Sequence, residues 1–197
     1  GFVTKAFSLD LSNEDDNDVL VAQFLLTPTD EEGLASTTTT SSDITGSTTT
    51  AEIVADASAE GSSLASATLP TGITLQDADG QPVTGAEVAL NVLGTDPSTE
   101  TKSLVLPEGL NSDDSSANIA VPVSLANVTL SVDGNSVKKF AGDTLNVTLA
   151  APADLDAGEV LSVSSLDEET GIWMPETFPV TKGTGTVSFE TDHLTWF

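Results

Sequence analysis

Four stretches of this chain alternate apolar and polar residues with a period of two. In "AEVALNVL" the apolar set is Val88, Leu90 and Val92, in "NVTLSVDG" Val128, Leu130 and Val132, in "DTLNVTLA" Leu145, Val147 and Leu149, and in "GTVSFET" Val187 and Phe189. A helix turns by 3.6 residues and would scatter these side chains around its axis, whereas a strand places all of each set on one face. The opposite faces carry Asn127, Thr129, Ser131, Thr144, Asn146 and Thr148, so each strand is expected to have one dry and one wet side, as antiparallel sheets do. Turn residues separate the runs: Asp79-Gly80, Asp133-Gly134, Ala141-Gly142, "APADLDAG", "EETG" and "KGTG". Turn signals roughly 8 to 15 residues apart predict an all-β antiparallel sandwich, Ig-like with Greek-key connections.

The earlier part of the chain is less regular. Strand candidates run from Phe2 to Leu11 and from Val19 to Thr27, the second ended by Pro28 and the turn "TDEEG", because proline cannot donate to a ladder. A helix over "NEDDNDVLVAQFLL" is the alternative, with Asn13 as its cap. The run "STTTTSSDITGSTTT" (36–50) has the composition of a linker, yet β-branched Thr favours extended backbone, and short strands with a mobile loop are expected. "PEGLNSDDSSAN" reads as a surface loop. These signals divide the chain into residues 1–62, a small strand-rich module or donor segment, and residues 63–197, the sandwich.

Composition narrows the function. Thirty-one Asp and Glu face five Lys and no Arg, for a formal net charge of −26. Nucleic acids and anionic membranes require the opposite sign, and no apolar run is long enough for a membrane span. Such self-repulsion is tolerated where salt shortens the Debye length from about 10 Å at 0.1 M to about 3 Å at 1 M, which points to saline surroundings. Without cysteine there is no disulfide and no thiolate chemistry. The first residue is Gly1 and not Met, which favours a processed, exported chain.

Candidate chemistry is sparse. Asp77-Ala78-Asp79-Gly80 has its glycine too early for an EF-hand, and Asp-Gly between alternating runs signals a hairpin bend. "SNEDDND" offers dense oxygen ligands, so the calcium candidates are Asp15, Asp16 and Asp18, with Asp77 and Asp79 beside them; no other cofactor is expected. His193, the only histidine, would need a nucleophile such as Ser188 and an orienting acid, and Asp192 is expected on the opposite face of its strand. Trp173 and Trp196 are candidates for stacking on a sugar ring, with end-plugging of the sandwich as the other reading. Asn127 and Asn146 lie in glycosylation sequons and are expected to face outward.

The run "LQDADGQPVTGAEVAL" resembles the strand, Asp-Gly turn, Pro, Gly-Ala, strand signature of carboxypeptidase-regulatory-like and related bacterial Ig-like modules. "GEVLSVSSLDEETGIWMPE" and "GTVSFETDHLTWF" resemble the closing hairpin and last strand of β-sandwich domains in bacterial surface proteins and lipoproteins. This resemblance spans about residues 66–197 and implies a secreted, non-catalytic sandwich used for adhesion, spacing or assembly; it transfers no functional residue. The expected function is a structural or adhesive protein of the cell surface, a subunit of a fibre assembled by β-strand addition with Gly1–Leu11 or Val19–Leu26 as donor, or a module of a larger surface protein. Its partners would be further copies, other surface proteins or glycans. The alternative is a carbohydrate-binding module of a secreted protein.

Overall fold

The computed structural model describes residues 1–3, 26–99, 105, 122–156 and 158–197. The strands expected over 2–11 and 19–27, the helical alternative over 13–26, the acidic loop with Asp15, Asp16 and Asp18, and the surface loop over 107–118 lie wholly or mainly outside them.

The described chain is all-β. Its strands are β1 (Leu34–Ser41), β2 (Ile44–Thr45), β3 (Thr48–Thr49), β4 (Ile53–Ala59), β5 (Ser62–Leu69), β6 (Thr74–Gln76), β7 (Val88–Thr95), β8 (Ala126–Val132), β9 (Asn135–Val137), β10 (Lys139–Ala141), β11 (Leu145–Ala150), β12 (Ser164–Asp167), β13 (Ile172–Pro175), β14 (Thr181–Gly183) and β15 (Thr186–Thr191). A first sheet has the order β1-β7-β8-β9 and a second the order β14-β15-β11-β5-β4; β10-β6-β3-β2 and the β12-β13 ribbon are smaller sheets. Every strand pairing among the described residues is antiparallel. Among the described residues no helix is long and apolar enough to cross a membrane.

The period-two reading places the core. Val88, Leu90 and Val92 of β7 and Val128, Leu130 and Val132 of β8 are buried, as are Leu145, Val147 and Leu149 of β11 and Val187 and Phe189 of β15; all join one cluster between the two large sheets. Small residues contribute as much as large ones. Ala55, Ala57, Ala65 and Ala67 are fully buried on β4 and β5, and where β7 crosses β5, a Cβ on Gly94 would lie only 2.5 Å from the Ala65 Cβ. Alanine and glycine therefore let the sheet backbones touch. A bulge shifts the register between Ala57 and Ser58, so Leu64 and Ala65 are buried in succession.

The division expected after residue 62 falls inside the tight β4-β5 hairpin. β1 pairs with β7 along its full length, so residues 34–62 share both sheets and the core with the later chain. The Thr-rich run forms β1, β2 and β3.

Two tails pack on a second cluster. Val3, Leu34, Leu93, Leu125, Leu166 and Trp196 are buried together. The last residues lie beside β8, with Ala126 N–H donating to the Phe197 carbonyl at 2.9 Å and the reverse bond at 2.8 Å. Trp196 O in turn accepts from Leu166 N–H at 3.0 Å, tying the first sheet to the β12-β13 ribbon. At the other terminus, Val3 N–H donates to Thr27 O at 2.8 Å, so the start of the expected donor segment is docked on its own chain.

Candidate functional site

Not one residue of β1, β7, β8 or β9 is charged, in a chain that carries a formal −26. The second sheet, by contrast, includes Asp56, Lys182 and Glu190. The first sheet's outer face aligns hydroxyls and amides across strands: Thr38, Asn91 and Thr129 in one row, and Thr40, Ala89, Ser131 and Ser136 in the next. Asn91 Nδ2 donates to Thr37 O at 2.9 Å and to Thr38 Oγ1 at 2.7 Å, which fixes the row. The depression between these side chains measures about 290 Å³.

This face ends at β1, an edge strand. Four successive threonines favour extended backbone, and their eight-residue ladder with β7 has no irregularity. Along its other side β1 pairs with no described strand. The other edges of the two large sheets are blunted in the ways that limit edge-to-edge pairing: β4 carries Asp56 and pairs across a bulge at Leu64 of β5, β14 is three residues with Lys182 at its centre, and β9 is three residues long. Charges appear only beyond the ends of β1, at Asp30, Glu31, Glu32 and Asp43.

The sequence candidates fare differently. Asp77 forms a turn: its Oδ1 accepts from Asp79 N–H at 2.9 Å and Gln81 N–H at 2.8 Å, and Gly80 adopts φ 78°. The hairpin it closes is short. Val83 N–H reaches Leu75 O at 2.9 Å, after which β7, expected as the second arm, joins the other sheet. No group of three or more His, Asp or Glu side chains converges among the described residues; Asp15, Asp16 and Asp18 are outside the described set.

Trp196 must be corrected as a stacking platform. It is 2% exposed, because residues 195–197 are covered on both sides by β8 and β12. Trp173 is half-buried against the same cluster. Asn127 also departs from expectation: the C-terminal segment lies over it and it is 9% exposed, while Asn146 is exposed.

His193 Nδ1 lies 2.9 Å from Asp192 Oδ1 and its Nε2 3.5 Å from Glu176 Oε1. The expected opposite-face placement of Asp192 fails because Thr191 Oγ1 bonds the backbone of His193, donating to its carbonyl at 3.0 Å and accepting from its N–H at 3.3 Å, and this local turn ends β15. Ser165 Oγ donates to Glu176 Oε1 and not to the imidazole. The ring packs on Phe178 and Phe197, with centroids 5.8 and 5.6 Å away. Both ring nitrogens thus meet carboxylates, and among the described residues no hydroxyl bonds to the ring as the base-assisted attack of a triad needs.

No protein-family model matches the chain, and no curated protein matches its sequence.

Proposed function

We propose that this chain is a non-catalytic structural or adhesive module of an extracellular surface, associating with further copies or with other surface proteins by β-strand addition at β1. The observation that supports the reading is the uncharged first sheet ending in a long, regular, unblunted edge. Strand addition draws affinity from backbone hydrogen bonds and register from alternating side chains, and an eight-residue edge offers both. Elsewhere, two copies of a chain this acidic repel each other; β1 itself carries no charge, and its flanking charges are Asp30, Glu31, Glu32 and Asp43. Salt should therefore promote assembly by screening those ends.

Sedimentation analysis across protein concentration at 0.1 M and 1 M salt tests this. The wild-type chain should associate, more so at high salt, and a Thr38→Glu, Thr40→Glu double variant should stay monomeric with its circular dichroism unchanged. A wild-type chain that is monomeric throughout, or a double variant that assembles equally well, would remove the proposal.

A further inference from the structure

Among the described strands, the edges of the two large sheets other than β1 are short or charged, so the best match that a further copy offers to β1 is its own β1. Face continuity limits how the two can join. Directly opposed residues of antiparallel strands point to the same side of a sheet. In β1 the exposed Ser36, Thr38 and Thr40 form the outer face, while Thr37 and Thr39 oppose the buried Val92 and Leu90. An even-numbered residue must therefore meet an even-numbered one, and two registers use nearly the whole strand. One centres a two-fold axis on Thr37 and pairs residues 34–40 of both copies; the other centres it on Thr38 and pairs residues 35–41. The first sets Glu31 against Asp43 of the second copy, twice by symmetry, and needs a strand beside Leu34, which is buried in the second cluster. The second sets Asp43 against Gly33 and Glu32 against Ile44, so no like charges are directly opposed. Directly opposed like charges destabilise a strand pair, and parallel pairing would bring the acidic ends of the two strands together.

We infer, on the reading that β1 accepts a strand, that it pairs antiparallel with β1 of a second copy about a two-fold axis through Thr38, and that association closes at a dimer. The two first sheets become one with their outer faces on the same side, and the row Thr129, Asn91, Thr38 continues into Thr38, Asn91, Thr129 of the second copy. Asn91 Nδ2 already donates to Thr38 Oγ1 at 2.7 Å, which leaves the hydroxyl proton for Thr38 across the axis; Thr–Thr hydrogen bonds of this kind stabilise strand pairs. An isologous contact uses the same patch on both copies, so this edge has no room for a third.

The chain has no cysteine, and a single introduced thiol therefore reports its neighbour across the junction. Opposed Cβ atoms lie about 4.5–5.5 Å apart, close to the roughly 3.5–4.5 Å of a disulfide, whereas residues four places out of register are about 13 Å apart along the strand. At 1 M salt, with diamide as the oxidant, Thr38→Cys should link to itself. Ser36→Cys and Thr40→Cys should each link to themselves at least tenfold more slowly, yet link to one another when mixed. Sedimentation of the wild-type chain should show monomer and dimer and nothing larger. Fastest linking of Ser36→Cys or Thr40→Cys to Thr38→Cys marks a shifted register; that outcome, or growth beyond two copies, overturns this inference and leaves strand addition at β1 in place. Association without links from residue 36, 38 or 40 overturns it too, and the Thr38→Glu, Thr40→Glu variant then shows whether β1 is used at all. A chain that is monomeric at every concentration removes both.

Discussion

Replacing Gly94 by alanine probes how closely the two sheets approach. The new Cβ would lie 2.5 Å from Ala65 Cβ, 2.8 Å from Ala65 N and 3.0 Å from the Leu64 carbonyl carbon. Carbon atoms rest about 3.5–4.0 Å apart, so the sheets must part by about 1 Å at this crossing. Neither strand can step aside, because β7 is held between β1 and β8, and β5 between β11 and β4. Overpacking costs about 1–3 kcal/mol, and the backbone on the receiving side places this case near the top. Loss of glycine's freedom in the unfolded chain returns about 0.4–1 kcal/mol. The net is about 2 kcal/mol, or about 4–8 °C in Tm for a chain of this size. Urea unfolding followed by circular dichroism measures it. Ala65→Gly in the Gly94→Ala background removes the shortest of the three contacts and leaves the two backbone ones, so the pair should couple without full recovery. A neutral or stabilising Gly94→Ala would refute the claim that β5 and β7 touch here.

Asp133, at φ 48° in the β8-β9 turn, accepts from Ala86 N–H at 2.9 Å and Glu87 N–H at 3.0 Å; Asp133→Ala should lower stability by about 2 kcal/mol in the same urea assay, since each of the two bonds contributes about 1 kcal/mol net. Glu60 holds φ 50° in the β4-β5 turn, a conformation that costs about 1–2 kcal/mol for most residues and less for Asn, so Glu60→Asn should stabilise by about 0.5–1 kcal/mol. The Thr170 hydroxyl first, then the Glu169 and Thr170 N–H groups, hold the Asp167 carboxyl below its ordinary value of 3.8. A depressed carboxylate stabilises the fold above the unfolded-state value and loses that contribution as pH falls through the folded one; a carboxyl titration followed by NMR should find the midpoint lowered, and Thr170→Val should raise it.

The legible half of the fold was the half with contrast. Val, Leu and Phe alternating with Thr, Ser and Asn mark β7, β8, β11 and β15 directly, since burial of each large side chain is what sets the face. β4 follows the same rule with Ile53, Ala55 and Ala57, but alanine is too small for its burial to show in the pattern, and the Glu60-Gly61 turn lacks the Asn or Asp that usually flags one. Trp196 and Asn127 were misplaced for a shared reason: both depend on where the last three residues lie, and that is fixed by hydrogen bonds to β8 and β12, some 30 to 70 residues away in the chain. The Asp192–His193 contact has a different origin, the local turn that the Thr191 hydroxyl makes with the His193 backbone. The uncharged first sheet was visible residue by residue. That no described strand pairs with the outer side of β1 was not, because an edge is defined by what fails to pair with it.

Amide hydrogen exchange along β1 tests the central claim most directly. In dilute, low-salt solution, alternate amides of Leu34–Ser41 should exchange fast while those of β7 stay protected, and assembly at high salt should slow the fast set and leave β7 unchanged. Uniform protection of β1 in the monomer, or assembly that leaves its fast amides fast, would contradict strand addition at this edge.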